Sequence, residues 1–204
     1  MRGLAAGAAS LVILLQGCAP VLIGAGGAAA YSSLEDRRST GTQLDDESIE
    51  VRASNRITDR FGDRAHVNVT SYNRIALITG EVADERSREE VEKIVLAVPG
   101  VRAATNDAQV AGISSYAART NDSYLTTKVR GRLFDTKRVS PVHVKVVTEA
   151  GVVYLMGLVT EPEADEAVEI ARTTGGVRKV VKVFEYCKPG DERCQPAAKD
   201  GAGK

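Results

Sequence analysis

The residues of this chain best placed to act on something outside it are Tyr124, Thr127, Lys128, Arg130, Gly131 and Phe134. They share one stretch, Asp122 to Phe134, in which Leu125, Val129 and Leu133 recur at every fourth position. At about 100° per residue that row is the buried side of a helix. The opposite side then carries Phe134, Thr127, Gly131 and Tyr124, flanked by Lys128 and Arg130, with Arg132 bordering the buried row. Aromatics make up only 4% of the chain and there is no Trp, so two rings on one outward face concentrate a scarce residue type. Rings among cations suit the interface of an anionic bilayer, where the rings enter the headgroup layer and Lys and Arg meet phosphate. The alternative is a contact between parts of the chain or with another protein, since an exposed apolar patch marks either kind of site.

Other chemistry finds little support. His66 and His143 stand at the starts of two equivalent strands, as edge residues rather than an acid–base pair. No serine sits in a nucleophile elbow. The glycine runs at 24–27 and 175–176 lack the strand–loop–helix setting and the Lys of a phosphate loop. Asp84/Glu85 and Glu161/Glu163 are charges that suit helix starts. No enzyme activity, cofactor or metal is expected. Formal net charge is zero and the pI about 6.8, which argues against a nucleic-acid partner. Any electrostatic partner has to be met by a local patch.

Two copies of one unit position the candidate face. From Asp45 onward the chain repeats itself at a period of about 76–77 residues. Asp46-Glu-Ser-Ile49 answers Asp122-Ser-Tyr-Leu125, Leu77-Ile-Thr-Gly80 answers Tyr154-Leu-Met-Gly157, and Pro99-Gly-Val-Arg102 answers Gly175-Gly-Val-Arg178. Each copy reads as helix, strand, strand, helix, strand, an α+β unit with two helices on one face of a three-stranded sheet. In the first copy, Ser48 begins a helix to about Phe61, and strands follow at His66 to Thr70 and Arg74 to Val82. An amphipathic helix at Asp84 to Val98 and a strand at Val101 to Val110 complete it. In the second, strands at Val142 to Thr148 and Val152 to Val159 precede a helix at Glu161 to Thr174 and a strand at Val177 to Tyr186. Residues 45–111 and 121–186 are thus two tandem domains joined by a linker at 112–120. The copies differ on the outer face of the opening helix. The first carries Val51, Asn55 and Thr58 amid mixed charges, whereas residues 123–138 hold Lys128, Arg130, Arg132, Lys137 and Arg138 against Asp135 alone.

The N-terminal 17 residues have the parts of an export signal: Arg2, then an apolar stretch from Leu4 to Leu15, then Leu15-Gln-Gly-Cys18. That tetrapeptide resembles a bacterial lipobox, which implies a lipid-modified Cys18 as the mature N-terminus and membrane anchor. Residues 18–44 read as the lipidated start and a flexible tether rich in Ala, Gly, Ser and Thr. Ala19 rather than Asp after the Cys favours outer-membrane sorting by the same resemblance. Export leaves Cys187 and Cys194, in the tail at 187–204, in an oxidising compartment that allows them to pair; the alternative is two idle thiols.

The repeated unit resembles the BON domain (bacterial OsmY and nodulation), through the Leu125/Val129/Leu133 spacing, Val144-Lys-Val146, Gly151-Val-Val-Tyr-Leu-Met-Gly-Leu-Val159 and Gly176-Val-Arg-Lys-Val180. A lipobox followed by two such units is similar to the dual BON-domain outer-membrane lipoproteins of Gram-negative bacteria, also through Gly41-Thr-Gln-Leu-Asp-Asp46. The resemblance implies a periplasm-facing, lipid-anchored protein that binds anionic phospholipid of the phosphatidylglycerol type through the opening helix of its second unit. It also implies gathering at division sites and support of outer-membrane integrity. A second reading under the same resemblance is a protein-interaction module assisting the outer-membrane protein assembly machinery.

Overall fold

A computed structural model describes residues 36–136 and 138–195; Cys18, the export signal and Lys137 lie outside the described residues. The first unit runs α1 (Thr40–Phe61), β1 (His66–Tyr72), β2 (Ile75–Val82), α2 (Glu85–Leu96), β3 (Ala103–Asn106) and β4 (Gln109–Val110). The second runs α3 (Tyr116–Asp135), β5 (Val144–Glu149), β6 (Val152–Val159), α4 (Glu161–Arg172) and β7 (Lys179–Tyr186). In each sheet the second strand is central, antiparallel to the first and parallel to the last. The expected strand from Val101 to Val110 is broken into β3 and β4, both paired with β2. The Asn106 side chain, accepting from the Ala108 N–H at 3.2 Å, turns the chain at the break.

One device closes both hairpins. Asn73 and Arg74 have φ of 51° and 64°, and Ala150 and Gly151 have 48° and 72°, the left-handed pair that a two-residue turn matched to strand twist requires. Asp46 on α1 accepts from the Asn73 and Arg74 N–H groups at 2.8 and 2.7 Å. Asp122 on α3 accepts from Ala150 and Gly151 at 2.9 and 2.8 Å. Both carboxylates are buried, so the repeated Asp is a helix-to-turn clamp. The repeated Gly has an equally local cause. A Cβ on Gly80 would stand 2.0 Å from the His66 carbonyl oxygen, and one on Gly157 2.3 Å from that of His143.

The helix-covered faces form two cores. Ile49, Ala53 and Ile57 of α1 and Val91 and Val95 of α2 close over Ala76 and Ile78. Val129 and Leu133 of α3 and Ala167 and Ile170 of α4 close over Val153, Leu155 and Val159. The alternate residues of the same central strands, Leu77 on β2 and Tyr154, Met156 and Leu158 on β6, join Tyr72 in a third cluster. The helix-free faces of the two sheets therefore pack back to back, and each large apolar side chain so buried contributes about 1.5–3 kcal/mol. Polar contacts rim this interface: Tyr154 Oη donates to Asp107 at 2.6 Å, Arg102 pairs with Glu185 at 2.7 Å and Lys145 with Glu50 at 2.6 Å.

Three boundaries differ most from the sequence reading. α1 begins at Thr40, capped by Ser39 Oγ, rather than at Ser48. α3 begins at Tyr116, capped by Ser115 Oγ, so part of the expected linker at 112–120 is helical. In both cases a polar cap starts the helix before any apolar periodicity appears. Residues 36–39, expected in the flexible tether, are also fastened. Arg37 donates to the Leu158 and Cys194 carbonyls at 2.8 Å each and grips Glu163 with two bonds at 2.8 and 2.9 Å. Arg38 lies 3.9 Å from the Tyr72 ring centroid and pairs with Asp36 and Asp46. In the tail, Cys187 and Cys194 are bonded, with Cα atoms 5.7 Å apart. The short turn they close presents the Cys194 carbonyl to Arg37.

Candidate functional site

Leu125, Val129 and Leu133 are buried at 2%, 0% and 1% exposure, which turns the other side of α3 to solvent. There Tyr124 is 61% exposed and Phe134 76%. Neither belongs to the apolar cluster that joins the two sheets. Gly131 meets no atom within 4 Å of where a Cβ would stand, so the surface between the rings is open and low. Thr127 Oγ1 donates to the Ser123 carbonyl at 3.0 Å and keeps its lone pairs outward.

The two added turns of α3 bring in a ring that the sequence reading missed. Tyr116 is 80% exposed and precedes Phe134 by about five helical turns, hence on the same line of the helix roughly 27 Å away. The signal that could have found it is Ser115, a cap residue directly before it. The outer face thus carries Tyr116, Tyr124 and Phe134, with Thr120, Ser123 and Thr127 between them back-bonded to the helix.

The cations of this region divide into three kinds. Arg130 has no hydrogen bond or ion pair with any described residue and is exposed. Lys128 is half-buried: it donates to the Gly175 carbonyl at 2.7 Å, near the end of α4, and stands 5.4 Å from the Tyr124 ring centroid. Arg132 donates to the Ile170 carbonyl and Thr174 Oγ1, both at 2.7 Å. These partners are neutral, so the charges of Lys128 and Arg132 stay unbalanced. Arg138 is different, being paired with Glu166 at 3.0 Å. The first unit's opening helix differs in its apolar residues: those exposed are Leu44 and Val51, with no ring among them. Its Arg56 also meets a neutral partner, the Ala97 carbonyl at 2.9 Å, while Arg60 is paired with Glu90.

No described helix is long and apolar enough to cross a membrane. Each unit has an αββαβ architecture with a clamped hairpin. The family profile "BON domain" matches residues 45–112 and 121–188, and the chain belongs to the dual BON-domain family. It is 39% identical over 176 residues to "Outer membrane lipoprotein DolP" of Haemophilus influenzae, covering 85% of this chain and 91% of that one. It is 33% identical to the "21 kDa hemolysin" of Actinobacillus pleuropneumoniae, covering 74% and 79% of the two chains. It is 27% identical to "Osmotically-inducible protein Y" of Escherichia coli K12, covering 69% and 72%.

Proposed function

We propose that this protein is a non-catalytic lipoprotein of the outer membrane, facing the periplasm and anchored through Cys18, whose second BON unit docks on anionic phospholipid. The similarity to an outer membrane lipoprotein over nearly the whole chain supports the location. One observation carries the docking: three exposed aromatics on one outward helix face, beside cations that no carboxylate neutralises. Tyr116, Tyr124 and Phe134 enter the headgroup layer, and Arg130 and Lys128 meet phosphate. Gly131 and Thr127 let headgroups approach the backbone. Each cation near an anionic surface contributes about 1 kcal/mol. The site alone would then dock weakly and reversibly, and the covalent anchor would strengthen it by raising local concentration. Support of envelope integrity at division sites is the cellular role that fits such a surface.

The chain has no Trp, so Phe134→Trp introduces a single reporter. Its emission should shift to the blue with phosphatidylglycerol vesicles, stay put with phosphatidylcholine vesicles, and lose the shift as salt rises. An unchanged spectrum with both vesicles contradicts lipid docking and turns attention to a protein partner in envelope assembly, which needs no lipid.

A further inference from the structure

Beside the sheet-to-sheet contact, a cavity of about 520 Å³ opens between β1 of the first unit and α3 and β5 of the second. Two of its lining residues, His66 and Glu149, converge with Glu81: one ligand atom from each lies within 4.8 Å of the other two. His66 Nδ1 is 3.0 Å from Glu81 Oε2. Asn68 Nδ2 holds Glu149 Oε2 at 3.1 Å. Glu81 is 6% exposed and Glu149 8%, yet neither is paired with a Lys or Arg among the described residues. Lys145, in the same cavity, is committed to Glu50 at 2.6 Å and the Ser71 carbonyl at 3.1 Å. The second oxygen of each glutamate has no hydrogen-bond partner among the described residues.

Two carboxylates largely withdrawn from water this close together repel each other, and neither has a Lys or Arg partner to offset its partial desolvation. Buried charges of this kind are normally paired or coordinate a metal. We propose that His66, Glu81 and Glu149 bind a divalent transition-metal ion of the zinc class, which bridges the two BON units. An imidazole with carboxylates suits zinc and its neighbours, whereas magnesium and calcium call for six or more oxygens. Donors around tetrahedral zinc stand about 3.3 Å apart, so the His66–Glu81 edge already has nearly that length. Glu149 completes the triad by side-chain rotation, steadied by Asn68, and water from the cavity fills the fourth position. The ion ties β1 and β2 of the first unit to β5 of the second. The repeat supplies an internal control. The residues answering Glu81 and Glu149 in the other copy are Leu158 and Tyr72, so the second unit's His143 has no such triad.

The test uses the full chain without an affinity tag, purified in detergent, stripped with a chelator and dialysed against zinc. The expected result is one zinc per chain, a raised melting temperature with zinc but not magnesium, and visible absorption on cobalt substitution. Glu149→Gln and His66→Ala should each weaken zinc binding by at least about tenfold and abolish the thermal shift. Circular dichroism checks that both variants fold, and wild-type cobalt absorption decides the matter if either does not. A stripped wild type that binds no zinc, or folded variants that bind as wild type does, overturns the proposal.

Discussion

Replacing Arg37 by Ala should cost far more than a surface arginine normally does. The Arg37 and Glu163 side chains are 8% and 15% exposed, and the arginine makes four hydrogen bonds, two of them to Glu163. Burial pushes the Glu163 carboxyl up from its ordinary 4.5, but Arg37 and the Thr160 N–H and hydroxyl outweigh it and hold the value at about 2. That difference corresponds to about 3 kcal/mol. The Thr160 bonds survive the substitution, which leaves about 2 kcal/mol to Arg37. For a chain of this size the melting temperature should fall by about 4–8 °C. The dependence on pH follows from the sign. A carboxyl held below its unfolded value stabilises above that value, and the contribution disappears as pH falls through the folded one. The gap between wild type and Arg37→Ala should therefore be full at pH 7 and less than half as large at about pH 2.5. His143 Nδ1 lies 3.7 Å from the same carboxylate in both proteins, so it largely cancels in the difference. Thermal unfolding of residues 31–204, which hold both cores, measures this. An unchanged melting temperature at pH 7, or an equal gap at both pH values, refutes the reasoning.

Asp122→Ala should destabilise by about 2 kcal/mol in urea unfolding, because it strips the Ala150 and Gly151 N–H groups of a buried acceptor. Gly157→Ala should cost at least about 2 kcal/mol in the same assay, since its Cβ would drive into the His143 carbonyl. Gly131→Ala, opening onto free space, should instead stabilise by up to about 1 kcal/mol from helix propensity. Cys187→Ser with Cys194→Ser should lower stability by about 2 kcal/mol while leaving vesicle binding by α3 unchanged.

Most of the fold could be read from the chain because its signals are local. The Asp46/Asp122 and Gly80/Gly157 pairs, which mark the repeat, each answer a contact inside one unit. The buried rows of α1 and α3 follow from a four-residue spacing that any amphipathic helix shows. Features set by distant contacts were not legible. Arg37 reads as one more charge in a polar tether, and only the folded chain brings it to Glu163 and Cys194. The unbroken apolar run Val152–Val159 fits a strand covered on both faces, yet the sequence reading assigned the sheet one covered face, because the second cover comes from the other unit. Tyr116 escaped notice because the residues around it carry no periodicity. The outward position of Tyr124 and Phe134 was legible, whereas the bond from Lys128 to Gly175 depends on where α4 ends. His66, Glu81 and Glu149 form no motif at all, being drawn from two units.

Co-sedimentation with vesicles tests the central claim most directly. Residues 31–204 would be spun with phosphatidylglycerol or phosphatidylcholine vesicles, as wild type and as Tyr124→Ala with Phe134→Ala, both checked for fold by circular dichroism. Wild type should pellet with the anionic vesicles only, and the double variant with neither. Wild type that ignores both vesicles, or a double variant that pellets as wild type does, contradicts the assignment of the α3 face to lipid.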